Sequence, residues 1–458
     1  MKKTRIALAI ATAAMVSTPV LATNGTNMIG LGAQSNAMGG TGVAASYGAE
    51  TVIANPAMIG KTTGTEMTFG GTLFMPSVET TNNIKNSAVA AANGITSAQA
   101  AANGAPIGSA TSDADTNVIP AVSLSSRIND KLTFGIGMFG TSGMGVDYQD
   151  EDMLFNAQTN MQIMKFAPTL AYNSSNFGFG VSPILQYGSL DINFKTQMTN
   201  NNGAPMYVQS SGTITTNQTT TPAIKTVGHG MASDLGMGFN IGGYFNITND
   251  LTVAASYLSA VDMKYKGQLS TASGAFVNPN SDFKTAFGDN LEQPSEIKVG
   301  AEYVMGSFSV NADYKKVGWG SAKGYKDFGW EDQDVFSVGA KFAANNYWLG
   351  AGYNYGSNPI KEQDGTTYKG AVVNMFNNTF FPAITESHFT FGGGYSMTKN
   401  TTLEGSVVYA PEVKNSVDTT GVSSAFATGM AGSQTAAAST STTKHSQIGY
   451  TVQVKYNF

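Results

Sequence analysis

The chain has 458 residues, 53 of them glycine, no cysteine and a formal charge of −5. Charged residues make up 12%, roughly half the share of an ordinary soluble domain, yet the mean hydropathy is only −0.09. Beyond residue 22 no apolar run approaches the ~18 residues of a membrane-spanning helix. Together these values exclude a helical membrane protein, a disulfide-stapled scaffold and a basic nucleic-acid binder. They leave open a membrane protein made of strands, whose opposed faces average out.

Residues 1–22 open with Lys2, Lys3 and Arg5, continue through an apolar stretch from Ile6 to Val16, and reach Val20-Leu21-Ala22. This is the layout of a secretory signal peptide with cleavage expected after Ala22. The chain has no cysteine to carry a lipid anchor or a structural disulfide.

Residues 23–63 do not alternate. They hold Gly30-Leu31-Gly32, then Ala37-Met38-Gly39-Gly40-Thr41-Gly42, then Asn55-Pro56-Ala57. Pro56 rules out a central strand and fixes a turn or helix start. The low charge and the Met, Ile, Leu and Val content count against a disordered tail. A plug inside a barrel is the expectation for this segment.

From residue 64 the pattern has period two. Strands are predicted near 65–76, 117–128, 131–148, 159–173, 176–193, 229–247, 250–268, 293–304, 306–318, 332–343, 345–356, 384–397, 399–413 and 445–458. Ile297, Val299, Ala301 and Tyr303 alternate with Glu296, Lys298, Gly300 and Glu302, for example. Apolar residues on one face and charges on the other suit a lipid-facing exterior with a polar lumen. Short turns at Asn129-Asp130, Ser174-Ser175, Asn249-Asp250, Met305-Gly306, Asn345-Asn346 and Lys399-Asn400 alternate with long loops. That asymmetry is the one expected between the two rims of a bacterial outer-membrane barrel. The fold class is therefore an all-β membrane protein, a fourteen-stranded antiparallel transmembrane β-barrel with an N-terminal hatch. The domains are a signal peptide over 1–22, a hatch over 23–63 and a barrel over 64–458. Loop segments 86–112 and 418–444 are rich in Ala, Ser, Thr and Gly and read as extracellular loops of weak helical character. The terminal strand ends on Phe458, which resembles the signal that hands such barrels to their assembly machinery.

These features resemble the FadL-type long-chain fatty acid transporters, a family that includes TodX-like hydrocarbon channels. The resemblance rests on the Gly-rich stretch ending in Asn55-Pro56-Ala57, the fourteen strands, the Gly-rich third strand, Pro294-Ser295-Glu296 opening the eighth strand, and Phe458. It implies a hatch closing the barrel, hydrophobic cargo bound beside that hatch, and sideways exit at an inward kink of the third strand. Aligned on the Asn129-Asp130 turn, the kink falls at Thr141, Ser142 and Gly143. Asn55, Pro56 and Ala57 are expected where the hatch meets the wall. Family members that carry fatty acids hold the carboxylate with basic side chains. Here arginine occurs only at Arg5 and Arg127, so Lys195 at the end of the fifth strand is the candidate head-group contact. Loops 194–228 and 269–292 are the candidates for an outer docking groove.

No metal or cofactor is expected. His229, His388 and His445 lack ligand spacing, and no catalytic motif is present. The expected partners are a hydrophobic small molecule, outer-membrane lipid with lipopolysaccharide, and the barrel assembly machinery through Phe458, without nucleic acid. The reading is passive uptake of fatty acids or of aliphatic or aromatic hydrocarbons across the outer membrane of a Gram-negative bacterium. The alternatives are a surface adhesin or structural barrel with partner-binding loops, and a non-specific porin.

Overall fold

The computed structural model describes residues 24–92, 94–96, 98–99, 107–197, 206–208, 214–216, 224–431 and 436–458. The expected signal peptide, and much of the loop 194–228, lie outside them.

Fourteen antiparallel strands close into a barrel: β1 Thr65–Asn82, β2 Asn117–Arg127, β3 Leu132–Asp147, β4 Gln158–Asn173, β5 Phe177–Gln197, β6 Ala232–Asn246, β7 Leu251–Leu258, β8 Glu296–Met305, β9 Phe308–Val317, β10 Gln333–Ala343, β11 Tyr347–Gly356, β12 Ser387–Ser396, β13 Thr401–Asp418 and β14 Thr440–Asn457. Each pairs with its sequence neighbours, and β14 returns to β1 over a ladder running from Glu66↔Asn457 to Asn82↔Ser441. The amide of Phe458 extends this seam by donating to Thr65 O at 2.9 Å. Closure matters because an open edge in a bilayer would leave backbone groups without partners.

Polarity is inverted relative to a soluble protein. Phe69, Tyr450, Val452 and Val454 point outward and are exposed, whereas their strand neighbours Thr68, Thr72, Thr451 and Gln453 are buried. An exposed apolar exterior around a polar interior is stable only in lipid. Tight turns close one rim, among them Ser174 N donating to Phe177 O and Ala344 N to Tyr347 O. At Met305-Gly306 the turn needs a positive φ, which Gly306 supplies at 62°.

The boundaries depart from the expected ones chiefly at β7, which stops at Leu258 rather than continuing to 268. Val261, Met263 and Tyr265 keep the period of two and stay buried. Their backbone nevertheless leaves the sheet and bridges loop residues, Val261 to Gln293 and Lys264 to Asn290. On the same long-loop rim β13 and β14 extend further than expected. The weakly helical loops contain real helices: α1 Ile84–Ala92 and α3 Thr420–Ala431 pack on each other, and α2 Tyr368–Phe380 lies against α3.

Residues 24–62 fill the lumen as a short helix at Ala33–Ala37 and 3-10 turns at Ala49–Val52 and Pro56–Lys61. Hydrogen bonds tie the segment to strands on every side. Ala33 N donates to Gln453 Oε1 at 2.8 Å and Gly39 N to Thr390 Oγ1 at 2.9 Å. Gly42 N donates to Asp313 Oδ2 at 2.8 Å, and Asn240 Nδ2 to Ile53 O at 2.8 Å.

Candidate functional site

Thr141, Ser142 and Gly143 sit at a break in the wall. The β2–β3 ladder runs from Arg127↔Thr133 only to Ala121↔Phe139. On the other side, β3 slips register against β4 between Gly140 and Ser142, the geometry of a β-bulge. Beyond Phe139 the N-terminal segment takes the place of β2. Met28 N donates to Thr141 O at 3.0 Å, and Gly143 N donates to Thr26 O at 3.1 Å. The Ser142 hydroxyl donates to Asn27 Oδ1, and Asn27 Nδ2 donates to Glu296 Oε1 at 3.1 Å. The gap in the ladder is thus bridged by three residues of the chain start.

Asn55-Pro56-Ala57 anchors the other end of the segment. The Asn55 side chain caps the following turn by accepting from Ala57 N at 3.0 Å, and Pro56 occupies the first turn, where no amide hydrogen is needed. Asn55 Nδ2 donates to Val43 O at 2.8 Å and to Gly243 O of β6 at 3.3 Å. Asn55 therefore ties two parts of the segment to the wall at once.

Between segment and wall lies a cavity of about 80 Å³ lined by Thr141, Glu296, Asp313, Lys165, Lys298 and Lys315 among others. Lys298 is neutralised by Glu296 at 2.9 Å and donates to Ile53 O at 3.1 Å. Lys165 is 4% exposed. Neither it nor Lys315 makes a hydrogen bond or ion pair at bonding distance among the described residues. The Thr141 hydroxyl is likewise buried without a partner. Two ammonium groups and a hydroxyl without bonding partners among the described residues thus face one small cavity, which the carboxyl-bearing Glu50, Glu296 and Asp313 also line.

Lys195 lies elsewhere. It pairs in register with Thr226 and is exposed, while its strand neighbour Phe194 is fully buried in the aromatic core. Alternation sends the two side chains to opposite faces, so Lys195 does not reach this cavity. The basic residues that do reach it come from β4, β8 and β9. Lys298 and Lys315 were visible on the polar faces of their strands, but their convergence with Lys165 depends on pairing across 133 and more residues.

Toward the long-loop rim the interior becomes aromatic. Trp319, Tyr325 and Trp330 form a triangle with ring centroids 4.6, 4.8 and 5.0 Å apart. Phe328, Phe376, Phe380 and Phe194 continue the stack. Met144, Met161, Leu269, Tyr325, Phe328 and Trp330 line a second cavity of about 10 Å³. Gly25 packs directly on the Trp319 indole, with no room for a Cβ. The chain start therefore touches both the aromatic box and the bulge. Of the expected outer-groove loops, 269–292 contributes Leu269, Phe276 and Phe283 to this core. His388 and His445 are buried on the inner wall, and no cluster of three or more metal-ligating side chains occurs among the described residues.

The family model for outer membrane protein transport proteins (OMPP1/FadL/TodX) matches residues 8–458. A FadL homologue of Pseudomonas aeruginosa superposes with TM-score 0.65 at 12% identity, covering 95% of this chain and all of that one. The toluene transporter TodX of Pseudomonas putida gives 0.61 at 18% identity, with 95% and 100% covered. The toluene transporter TbuX of Ralstonia pickettii gives 0.57 at 15% identity, with 94% and 98% covered. In sequence, 69 residues are 45% identical to an uncharacterized Chlorobium limicola protein from the 5′ region of a phosphoenolpyruvate carboxykinase gene. That match spans 15% of this chain and about a third, 34%, of that relative. The chain belongs to the OMPP1/FadL/TodX family of outer membrane transport proteins.

Proposed function

We propose that this channel passively takes up hydrophobic molecules that carry an acidic head group, long-chain fatty acids being the simplest, and releases them sideways at the β3 bulge. The observation that carries this reading is that buried Lys165 and half-buried Lys315 face one cavity beside Thr141, neither with a bonding partner among the described residues. Leaving a buried charge unpaired is costly, and a carboxylate would supply the missing acceptor for both. The cavity, about 80 Å³, has room for a head group but falls well short of the roughly 300 Å³ of a small ligand pocket. The alkyl chain therefore needs space now filled by the N-terminal segment. Residues 26–28 are the ones bonded to the bulge, so a ligand that displaces them also opens the gap. Such a ligand must favour the displaced arrangement.

The test is equilibrium binding of a long-chain carboxylate and of the alkane of equal length to the purified barrel. Tighter binding of the carboxylate by tenfold or more is expected, with the difference lost in Lys165→Met and Lys315→Met. Equal affinities in the unaltered protein would overturn the acidic-cargo reading. They would favour a second one, uptake of neutral aromatic hydrocarbons, which the Trp319, Tyr325 and Trp330 box supports.

A further inference from the structure

On the side of the lumen facing β13 and β14, a second polar cluster holds the N-terminal segment; two of its residues, Tyr47 and Glu50, also line the lysine-lined cavity. The centre of the cluster is the Gln453 amide. Nε2 donates to Glu50 Oε2 at 2.7 Å and to Glu404 Oε2 at 2.5 Å, and Oε1 accepts from Ala33 N at 2.8 Å. One amide thus joins a carboxyl of the segment, a carboxyl of the wall and the first turn of the Ala33–Ala37 helix. Trp348 Nε1 donates to Glu404 Oε1 at 3.0 Å. Lys455 Nζ donates to Tyr47 O at 2.8 Å and lies 3.8 Å from Glu404. Glu66 of β1 accepts from Ala49 N at 2.8 Å. Gly32, at φ 82°, lies flat against the Glu50 carboxyl, where a Cβ would overlap it.

The charges do not balance. Glu50, Glu66, Glu302 and Glu404 face Lys61, Lys341 and Lys455, which leaves one carboxylate too many. Asp313, which also approaches Tyr47, is held by the amides of Gly42 and Val43 and lies near Lys298 and Lys315. Its own negative charge is thus met elsewhere and does not offset this surplus. Glu50 is 2% exposed, and its Oε1 has no hydrogen-bond partner among the described residues. Two carboxyls on one amide nitrogen repel when both are ionised.

We propose that Glu50 and Glu404, joined through Gln453, are a proton-binding site that latches the N-terminal segment to β13 and β14. The proposal concerns how the segment is held and does not depend on which cargo the channel carries. The titration agrees with the geometry. Burial pushes the Glu50 carboxyl from its ordinary 4.5 up to about 8, with Glu404 and Glu66 adding to the rise and Lys455 opposing it. An acid whose value is raised in the seated state binds its proton more tightly there than when released into water. Seating is then strongest below about pH 4.5, weakens as pH climbs from there to about 8, and levels off above it.

The cysteine-free chain permits a clean probe. Ala45→Cys places a thiol on a buried residue of the segment, and its alkylation rate by a maleimide reports release. Because thiolate content itself rises with pH, each rate is divided by that of the same probe in Glu50→Gln protein. The ratio is expected to be at least fivefold higher at pH 9.5 than at pH 6, with a midpoint close to 8. In Glu404→Gln protein, which loses the neighbouring negative charge, the midpoint should fall by half a unit or more. Heat-modifiable mobility on gels verifies that each barrel is closed. A flat ratio between pH 6 and 9.5 overturns the latch, and an unmoved midpoint in Glu404→Gln overturns the pairing of the two carboxyls.

Discussion

Asn27 donates to Glu296 across 269 residues of sequence, at 3.1 Å. Its other amide atom accepts from Ser142 in the bulge. One side chain of the N-terminal segment therefore connects the broken wall at β3 to the charged start of β8. A hydrogen bond to a charged group contributes about 1.5–3 kcal/mol, so removing it should loosen the two backbone bonds that cover the gap. Asn27→Ala is expected to speed hydrogen exchange at Met28 and Gly143 about tenfold or more, with β8 and β14 amides unchanged. Unaltered exchange at both positions would show that backbone pairing alone holds the segment.

At Gly143 the chain runs between the bulge and Thr26. Arginine there would carry a long charged side chain into the gap, whichever way the strand tips. Gly143→Arg should assemble as a closed, heat-modifiable barrel yet lose most uptake of a radiolabelled fatty acid. Full uptake in the assembled variant would remove the bulge from the route.

Much of this architecture is legible from the residues, and the part that is not has an identifiable cause. Period two and the alternation of turn and loop lengths place all fourteen strands, because a barrel wall has one lipid face and one lumen face throughout. The same rule extends β7 too far. Val261, Met263 and Tyr265 still alternate, yet they answer to loop residues 290–293 rather than to a neighbouring strand. Lys195 stands at a strand end, but facing is set by register, and one residue of phase turns a side chain from lumen to exterior. Lys165, Lys298 and Lys315 sit on three strands whose heights in the barrel depend on its shear, which no local pattern encodes. Trp319 and Trp330 lie in a loop without periodicity, so no sequence pattern points to them.

Asn55 contributes three hydrogen bonds from a fully buried side chain, to Ala57 N, Val43 O and Gly243 O. Truncation would leave buried acceptors and a turn without its cap, at a cost of about 2 kcal/mol for the segment. Asn55→Ala should therefore raise exchange rates at Ala57 and Met58 about thirtyfold, while the barrel's melting temperature moves little. Asp at this position retains the cap to Ala57 but loses both donors, so Asn55→Asp should fall between the two. Equal exchange in all three proteins would mean that Pro56 alone sets the turn.

Lys85 gives a pH dependence on the extracellular side. It lies on α1, 4% exposed, donates to Asp152 O and sits 4.8 Å above the Phe155 ring, joining the first long loop to the aromatic core. Burial lowers its ammonium from 10.5 to about 8, with Asp152 and Glu151 opposing the change. A base depressed in the folded state is harder to charge there than in the detached loop. The packed cap is therefore least favoured below pH 8 and gains stability as pH rises from about 8 toward 10.5. The gain is about 3 kcal/mol at most, from roughly 1.4 kcal/mol per pH unit. Lys85→Met retains the length of the side chain without the charge, so its cap stability should not change over this window. Near-UV circular dichroism of the aromatic cluster during thermal unfolding, compared at pH 7 and pH 10, measures the difference. Wild-type protein should gain several degrees relative to Lys85→Met, and parallel curves at both pH values would show that the Lys85 charge does not govern cap stability.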